Sequence, residues 1–186
     1  MSKIFYLIAG ANGSGKTTLA KELLREEKGL EFLNADEIAE KIGDDIGLRA
    51  GKIILESVDK LLAAKKSVAM ESTIAGKYHE RIMQKFKKNG YEIVLIYVFL
   101  NRVELNLSRI QMRVLLGGHN VPKEDVIRRF YKSVRNFWSA IKLADSWQLY
   151  YNGGDDYEKI AFGRNDIVEI LNDDVYDKFK RGFKNE

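Results

Sequence analysis

The sequence predicts an α/β three-layer sandwich: a mostly parallel sheet of five to six strands, helices on both faces, and a helical hairpin as a lid. Three observations lead there. Strand-type and helix-type segments alternate along the chain. A glycine-rich octet, residues 10–17, stands between an apolar strand pattern and a helical pattern. Arg102 to Arg135 holds eight Lys/Arg against three acids, a local +5 in a chain of net charge +4, and this excess falls inside a helix–turn–helix pattern instead of a tail.

Taken in order, Lys3 to Ala9 is apolar and rich in strand formers, and Thr18 to Arg25 has its apolar residues at helical spacing. Glu31 to Asn34 reads as a short second strand, followed by a helix near 36–42 that Asn34 or Asp36 caps. Arg49 to Lys65 is a long helix with Ile53, Ile54, Val58, Leu61 and Leu62 on one face. Ser67 to Glu71 is a third strand; Lys77 to Asn89 is a helix closed by Gly90. Tyr91 to Leu100 is the longest apolar run and is expected as a central strand covered on both faces. The hairpin, about 103–143, has one helix from Val103 to Leu116 and another that starts at Pro122, with Glu124 and Asp125 in its first turn. Trp147 to Tyr151 is a fifth strand, Asn152 to Asp156 a turn and Lys159 to Phe162 a small extra strand, with a terminal helix expected after Asp166. No repeat or linker interrupts the pattern, so residues 1–186 are read as one domain.

Composition narrows the function. A hydrophobic fraction of 45% and a charged fraction of 31% suit a soluble globular chain. No apolar run approaches the roughly 20 residues that span a bilayer. The absence of cysteine excludes disulfides, thiolate chemistry and Cys-ligated zinc. The amino end carries one lysine and a short apolar stretch, so no signal peptide and a cytoplasmic location are expected.

The octet Gly10-Ala11-Asn12-Gly13-Ser14-Gly15-Lys16-Thr17 matches the phosphate-binding pattern G-x-x-x-x-G-K-[ST], and its strand and helix flanks make it the P-loop of a P-loop NTPase. With Thr18 it forms the expected nucleotide site. The glycines let successive N–H groups face a phosphate, Lys16 brings charge to the β- and γ-phosphates, and the Thr17 hydroxyl is placed for Mg²⁺. ATP and Mg²⁺ are the expected ligands.

In such sheets ligands sit beyond the carboxyl ends of the strands, and three further groups fall there. Asp36 is placed to take the proton of a hydroxyl that attacks the γ-phosphate; holding a Mg²⁺-bound water or capping a helix are its alternatives. Glu71 and Thr73 stand two residues apart, project to one side in extended chain and suit the orientation of a polar substrate, against the plain alternative of a solvated strand end. Arg109 and Arg113 share a helix face, Arg128 and Arg129 lie on the next helix, and at least one of the four is expected to meet the phosphates. Lys123, Lys132 and Arg135 read as solvated surface. Tyr78 and His79 fit a pocket edge or a structural role, His119 an anchor of the glycine hinge, and Asn152 stands near where adenine often lies in this architecture.

The reading that joins these groups is a kinase acting on a small-molecule hydroxyl. The alternatives are an NTPase switch acting on a protein partner and a polynucleotide kinase-like enzyme, with nucleic acid the lesser reading and no membrane partner. Neither Leu-Ser-Gly-Gly-Gln nor Asn-Lys-x-Asp occurs, which argues against a transporter ATPase and a GTPase switch.

Five stretches, in order, carry a resemblance: Ile8 to Thr18, Asn34-Ala35-Asp36-Glu37-Ile38, Glu71-Ser72-Thr73, Gly117-Gly118-His119-Asn120-Val121-Pro122, and Ile127-Arg128-Arg129-Phe130. Through them the chain resembles the zeta toxin family of small P-loop kinases over most of its length, nearest to the short stand-alone branch. The resemblance implies that Asp36 is the catalytic base, that Glu71 and Thr73 orient a sugar nucleotide, and that Arg113 and Arg128 hold the ATP phosphates. It implies a UDP-N-acetylamino sugar, phosphorylated on its ring, as the acceptor class. Arg109 and Arg129 compete for the lid roles, and no segment marks an antitoxin-binding surface.

Overall fold

The computed structural model describes residues 3–25, 27, 29–34, 38 and 48–183. Its strands are β1 (Ile4–Ala9), β2 (Glu31–Asn34), β3 (Val68–Ser72), β4 (Glu92–Phe99), β5 (Ser146–Tyr151), β6 (Glu158–Arg164) and β7 (Ile167–Ile170). The helices are α1 (Lys16–Leu23), α2 (Leu48–Ala64), α3 (Tyr78–Lys88), α4 (Val103–Leu115), α5 (Lys123–Ala140) and α6 (Asp173–Arg181). The sheet order is β2-β3-β1-β4-β5-β6-β7, with the first five strands parallel and β6 antiparallel to both β5 and β7. The expected mostly parallel α/β sandwich is thus present, with seven strands among the described residues where five to six were expected.

The pleat of β1 divides the core. Phe5, Leu7 and Ala9 face one way with Ile93, Leu95, Tyr97 and Phe99 of β4. That side is covered by Ile54 and Val58 of α2, Ile82 and Phe86 of α3, Val134 and Phe137 of α5, and Phe179 of α6. On the other side Val94, Ile96 and Val98 pack on Leu19, and Ile8 on Ala20, both from α1. Burial on both faces explains why β4 reads as a continuous apolar run.

The hairpin helices are α4 and α5. Gly117, at φ 82°, ends α4 in a left-handed turn in which the Gly118 N–H donates to the Arg113 carbonyl at 2.8 Å and the Gly117 N–H to Val114 at 2.9 Å. The helix expected near 36–42 lies outside the described residues except for Ile38, which packs on the larger core cluster.

One expectation is corrected. The chain after Asp166 forms β7, and the terminal helix begins at Asp173. Arg164 pairs with Ile167, so Asn165 and Asp166 make a two-residue hairpin turn, with Asn165 at φ 54°. Ile167, Val168 and Ile170 are β-branched and favour the strand that this turn starts. Asn172 then caps α6, its side-chain oxygen accepting from the Val175 N–H at 3.1 Å.

Candidate active site

Parallel pairing brings the carboxyl ends of β1, β3, β4 and β5 to one edge, and every predicted site segment within the described residues leaves the sheet there. Gly13 and Gly15 adopt φ of 78° and 97°, the left-handed region that glycine tolerates. Packing adds a second demand. A Cβ at Gly13 would lie 2.7 Å from the Asn106 carbonyl of α4, and one at Gly15 would strike the Asn152 amide and the Tyr157 hydroxyl. Gly15 stands at the start of α1 with no side chain capping that end, which leaves the first amides of the helix to an anion. The Lys16 ammonium is nearly buried and donates to the Ala11 carbonyl at 3.2 Å. The Ser14 hydroxyl is buried with no protein partner inside the same turn, as suits a group reserved for a phosphate oxygen.

Three side chains grip this turn from outside. Asn106 of α4 donates to the Asn12 carbonyl at 2.7 Å, Asn152 donates to the Ser14 carbonyl at 2.8 Å, and the Tyr157 hydroxyl donates to the Gly15 carbonyl at 2.8 Å. Burial pushes the Tyr157 phenol up from its ordinary pKa, opposed by the Thr18 hydrogen bond and the nearby charge of Arg109, so it stays a donor.

The segment at the end of β3 meets the loop directly. The Thr17 hydroxyl donates to a Glu71 carboxylate oxygen at 2.8 Å, and Glu71, Ser72 and Thr73 are all buried. Beyond β3 the chain turns through Ile74, a β-branched residue at φ 47°, a costly conformation that its surroundings must enforce. The Ile74 N–H donates to the Ser72 hydroxyl at 3.1 Å, and Asn136 of α5 donates to the Ile74 carbonyl at 2.6 Å. Ser72 also shares a 2.7 Å hydrogen bond with the Tyr78 hydroxyl. His79, fully buried, fixes the far end of this turn through Nδ1 and the Gly76 carbonyl at 2.7 Å. Burial lowers the His79 pKa from 6.5, so the neutral ring with its proton on Nδ1 is the form that this contact requires.

The four candidate arginines separate. Arg109 reaches the edge of the phosphate loop and donates to the Asn152 carbonyl at 2.7 Å. Arg113 turns back on its own hairpin and donates to the His119 carbonyl through Nε at 3.1 Å and a terminal nitrogen at 2.7 Å. Arg128 and Arg129 stand 2.6 and 3.6 Å from the Asp125 carboxylate, whose pKa the Arg128 hydrogen bond holds below the usual range. Asp36 lies outside the described residues.

Sequence reasoning did not single out Asn106, Tyr157 or Asn136. Asn106 had a readable signal: it shares a helical stripe with Val103 and Ile110, so it is a polar side chain on the apolar face of α4. Tyr157 and Asn136 had none, because their partners are backbone carbonyls 142 and 62 residues away.

The zeta toxin family model matches residues 1–155. The chain belongs to the zeta toxin family. As a zeta toxin family member it is 33% identical, over 132 residues, to an uncharacterized protein of Haemophilus influenzae, covering 69% of this chain and 91% of that one. Its fold is shared with the AvrRxo1-ORF1:AvrRxo1-ORF2 complex, a structure of which contains ATP, at a TM-score of 0.74 and 15% identity over 96% of this chain. The chain spans 63% of that longer protein. It also resembles the PezAT toxin–antitoxin system of Streptococcus pneumoniae, at a TM-score of 0.64 and 18% identity over the whole chain and 80% of the other. The family match takes in the phosphate loop, the Glu71 segment and both hairpin helices, and ends before β6. Family and fold together support an ATP-dependent kinase. Among the described residues no helix is long and apolar enough to cross a membrane.

Proposed function

We propose that the protein is a Mg²⁺- and ATP-dependent kinase that transfers the γ-phosphoryl group to an alcohol hydroxyl of a small molecule, with a UDP-N-acetylamino sugar as the acceptor class. The observation that carries this reading is the 2.8 Å hydrogen bond from Thr17 to Glu71. It ties the phosphate loop to the end of β3, so the group that meets the nucleotide and the group that meets the acceptor share one contact.

In this reading the loop amides from Gly10 to Thr18 and the Lys16 ammonium hold the phosphates. The Thr17 hydroxyl and the Glu71 carboxylate, hard oxygen donors 2.8 Å apart, would hold Mg²⁺. The chemistry such an ion would supply is neutralisation of phosphate charge. Glu71 and Thr73 orient the acceptor. Its oxygen forms a bond to the γ-phosphorus, the bond from that phosphorus to the β,γ-bridging oxygen breaks, and ADP leaves. The hydroxyl proton passes to the carboxylate of Asp36. The register supports that assignment, since β2 ends at Asn34, which pairs with Glu71, two residues before Asp36 in the chain. Arg113 and Arg128 exchange His119 and Asp125 for phosphate oxygens as the hairpin closes, and closure excludes water that would otherwise hydrolyse ATP. ATP supply makes the cytoplasm the place of action.

Asp36→Asn is the direct test. It is expected to bind nucleotide with wild-type affinity and to lose acceptor phosphorylation. Transfer at the wild-type rate by this variant would remove Asp36 as the base.

A further inference from the structure

We propose that Asn152 is a positioning residue for the nucleotide site: it aims a phosphate-loop amide inward and registers Arg109 of the hairpin against that loop. The proposal rests on the kinase reading only in taking a nucleoside triphosphate as the loop's ligand.

Asn152 bonds to three elements at once. Its N–H donates to the Phe99 carbonyl at 3.0 Å, which fixes its backbone to the end of β4. Its side-chain amide donates to the Ser14 carbonyl at 2.8 Å, and its own carbonyl accepts from Arg109 at 2.7 Å. The side chain is buried, so water does not compete for these contacts.

Peptide planarity gives the first contact a consequence. In a trans peptide the carbonyl and the following N–H point in opposite directions. Drawing the Ser14 carbonyl outward to Asn152 therefore turns the Gly15 N–H away from Asn152 and toward the interior of the turn, where a phosphate oxygen would accept it. Tyr157 holds the next carbonyl, that of Gly15, so a single loop grips two successive peptides. The Asn152 carbonyl in turn neutralises none of the Arg109 charge; it sets where that charge stands relative to the amides.

The experiment measures the affinity of full-chain variants for a fluorescent N-methylanthraniloyl ATP with Mg²⁺, alongside thermal melting. Asn152→Ala removes the side-chain donor to the Ser14 carbonyl and keeps the backbone carbonyl that accepts from Arg109, while Arg109→Ala removes that second contact; each is expected to weaken binding about tenfold. The near-isosteric Asn152→Asp turns a donor into an acceptor facing the Ser14 carbonyl, is expected to weaken binding more than Asn152→Ala, and carries the test if Asn152→Ala does not fold. Wild-type affinity in both Asn152 variants, or wild-type affinity in Arg109→Ala, would overturn the proposal. Nucleotide affinity requires no acceptor, so a wrong acceptor assignment above leaves this result intact.

Discussion

Thr17 and Glu71 lie 54 residues apart and meet in a 2.8 Å hydrogen bond, and the local chemistry turns on that meeting. Glu71→Gln keeps the shape and removes the charge. It is expected to lower kcat by about ten- to a hundredfold while nucleotide affinity changes far less, a split that steady-state kinetics and nucleotide titration resolve together. His79 carries a pH signature. In the unfolded chain it titrates near 6.5, and burial holds the folded value lower. As pH falls below 6.5 the unfolded chain binds a proton that the fold resists, so stability present above 6.5 is lost progressively down to the folded pKa. His79→Gln, which does not titrate, is expected to flatten this decline in melting temperature measured between about pH 7.5 and 5. At this scale the meeting of Thr17 and Glu71 was legible, because the motif and the strand pattern put both near strand ends at one sheet edge. The sequence was silent where the role depends on a distant carbonyl, as for Tyr157 and Asn136.

Between residue and molecule stand the hairpin and the turn after β3. Asn136 of α5 holds the Ile74 carbonyl, and Ile74 keeps its left-handed backbone at φ 47° with that support. The hairpin therefore shapes the turn after β3 from one helix while α4 grips the phosphate loop through Asn106. Asn136→Ala is expected to raise the acceptor KM several-fold with little change in nucleotide affinity, because it loosens only the acceptor side. An equal loss on both sides would show that the hairpin acts as one unit. The helices of the hairpin were legible from their apolar spacing, from Gly117 and from Pro122. β7 was not, since four residues are too few for periodicity to separate strand from helix. The Asn165-Asp166 turn was the available signal, and its left-handed Asn165 confirms it.

Across the whole molecule, the family match ends at residue 155, yet the chain beyond it completes the core. Phe179 of α6 is fully buried and contacts the rings of Tyr97, Phe99, Phe137 and Trp138. Phe179→Ala is expected to cost about 3–5 kcal/mol of stability in urea unfolding. The parallel sheet was legible because alternation of strand and helix leaves few arrangements, and the doubly covered β4 announced its central place. Which face each helix covers was not legible, because that depends on the pleat of strands the helix does not touch in sequence.

The central claim, that these groups form one phosphoryl-transfer site, is tested most directly by mass spectrometry of sugar nucleotides, nucleosides and short oligonucleotides incubated with the protein, Mg²⁺ and labelled ATP. The account predicts that a UDP-N-acetylamino sugar gains one labelled phosphate with the wild-type chain and none with Lys16→Ala. Conversion of ATP to ADP and free phosphate, with no acceptor gaining mass, would contradict it.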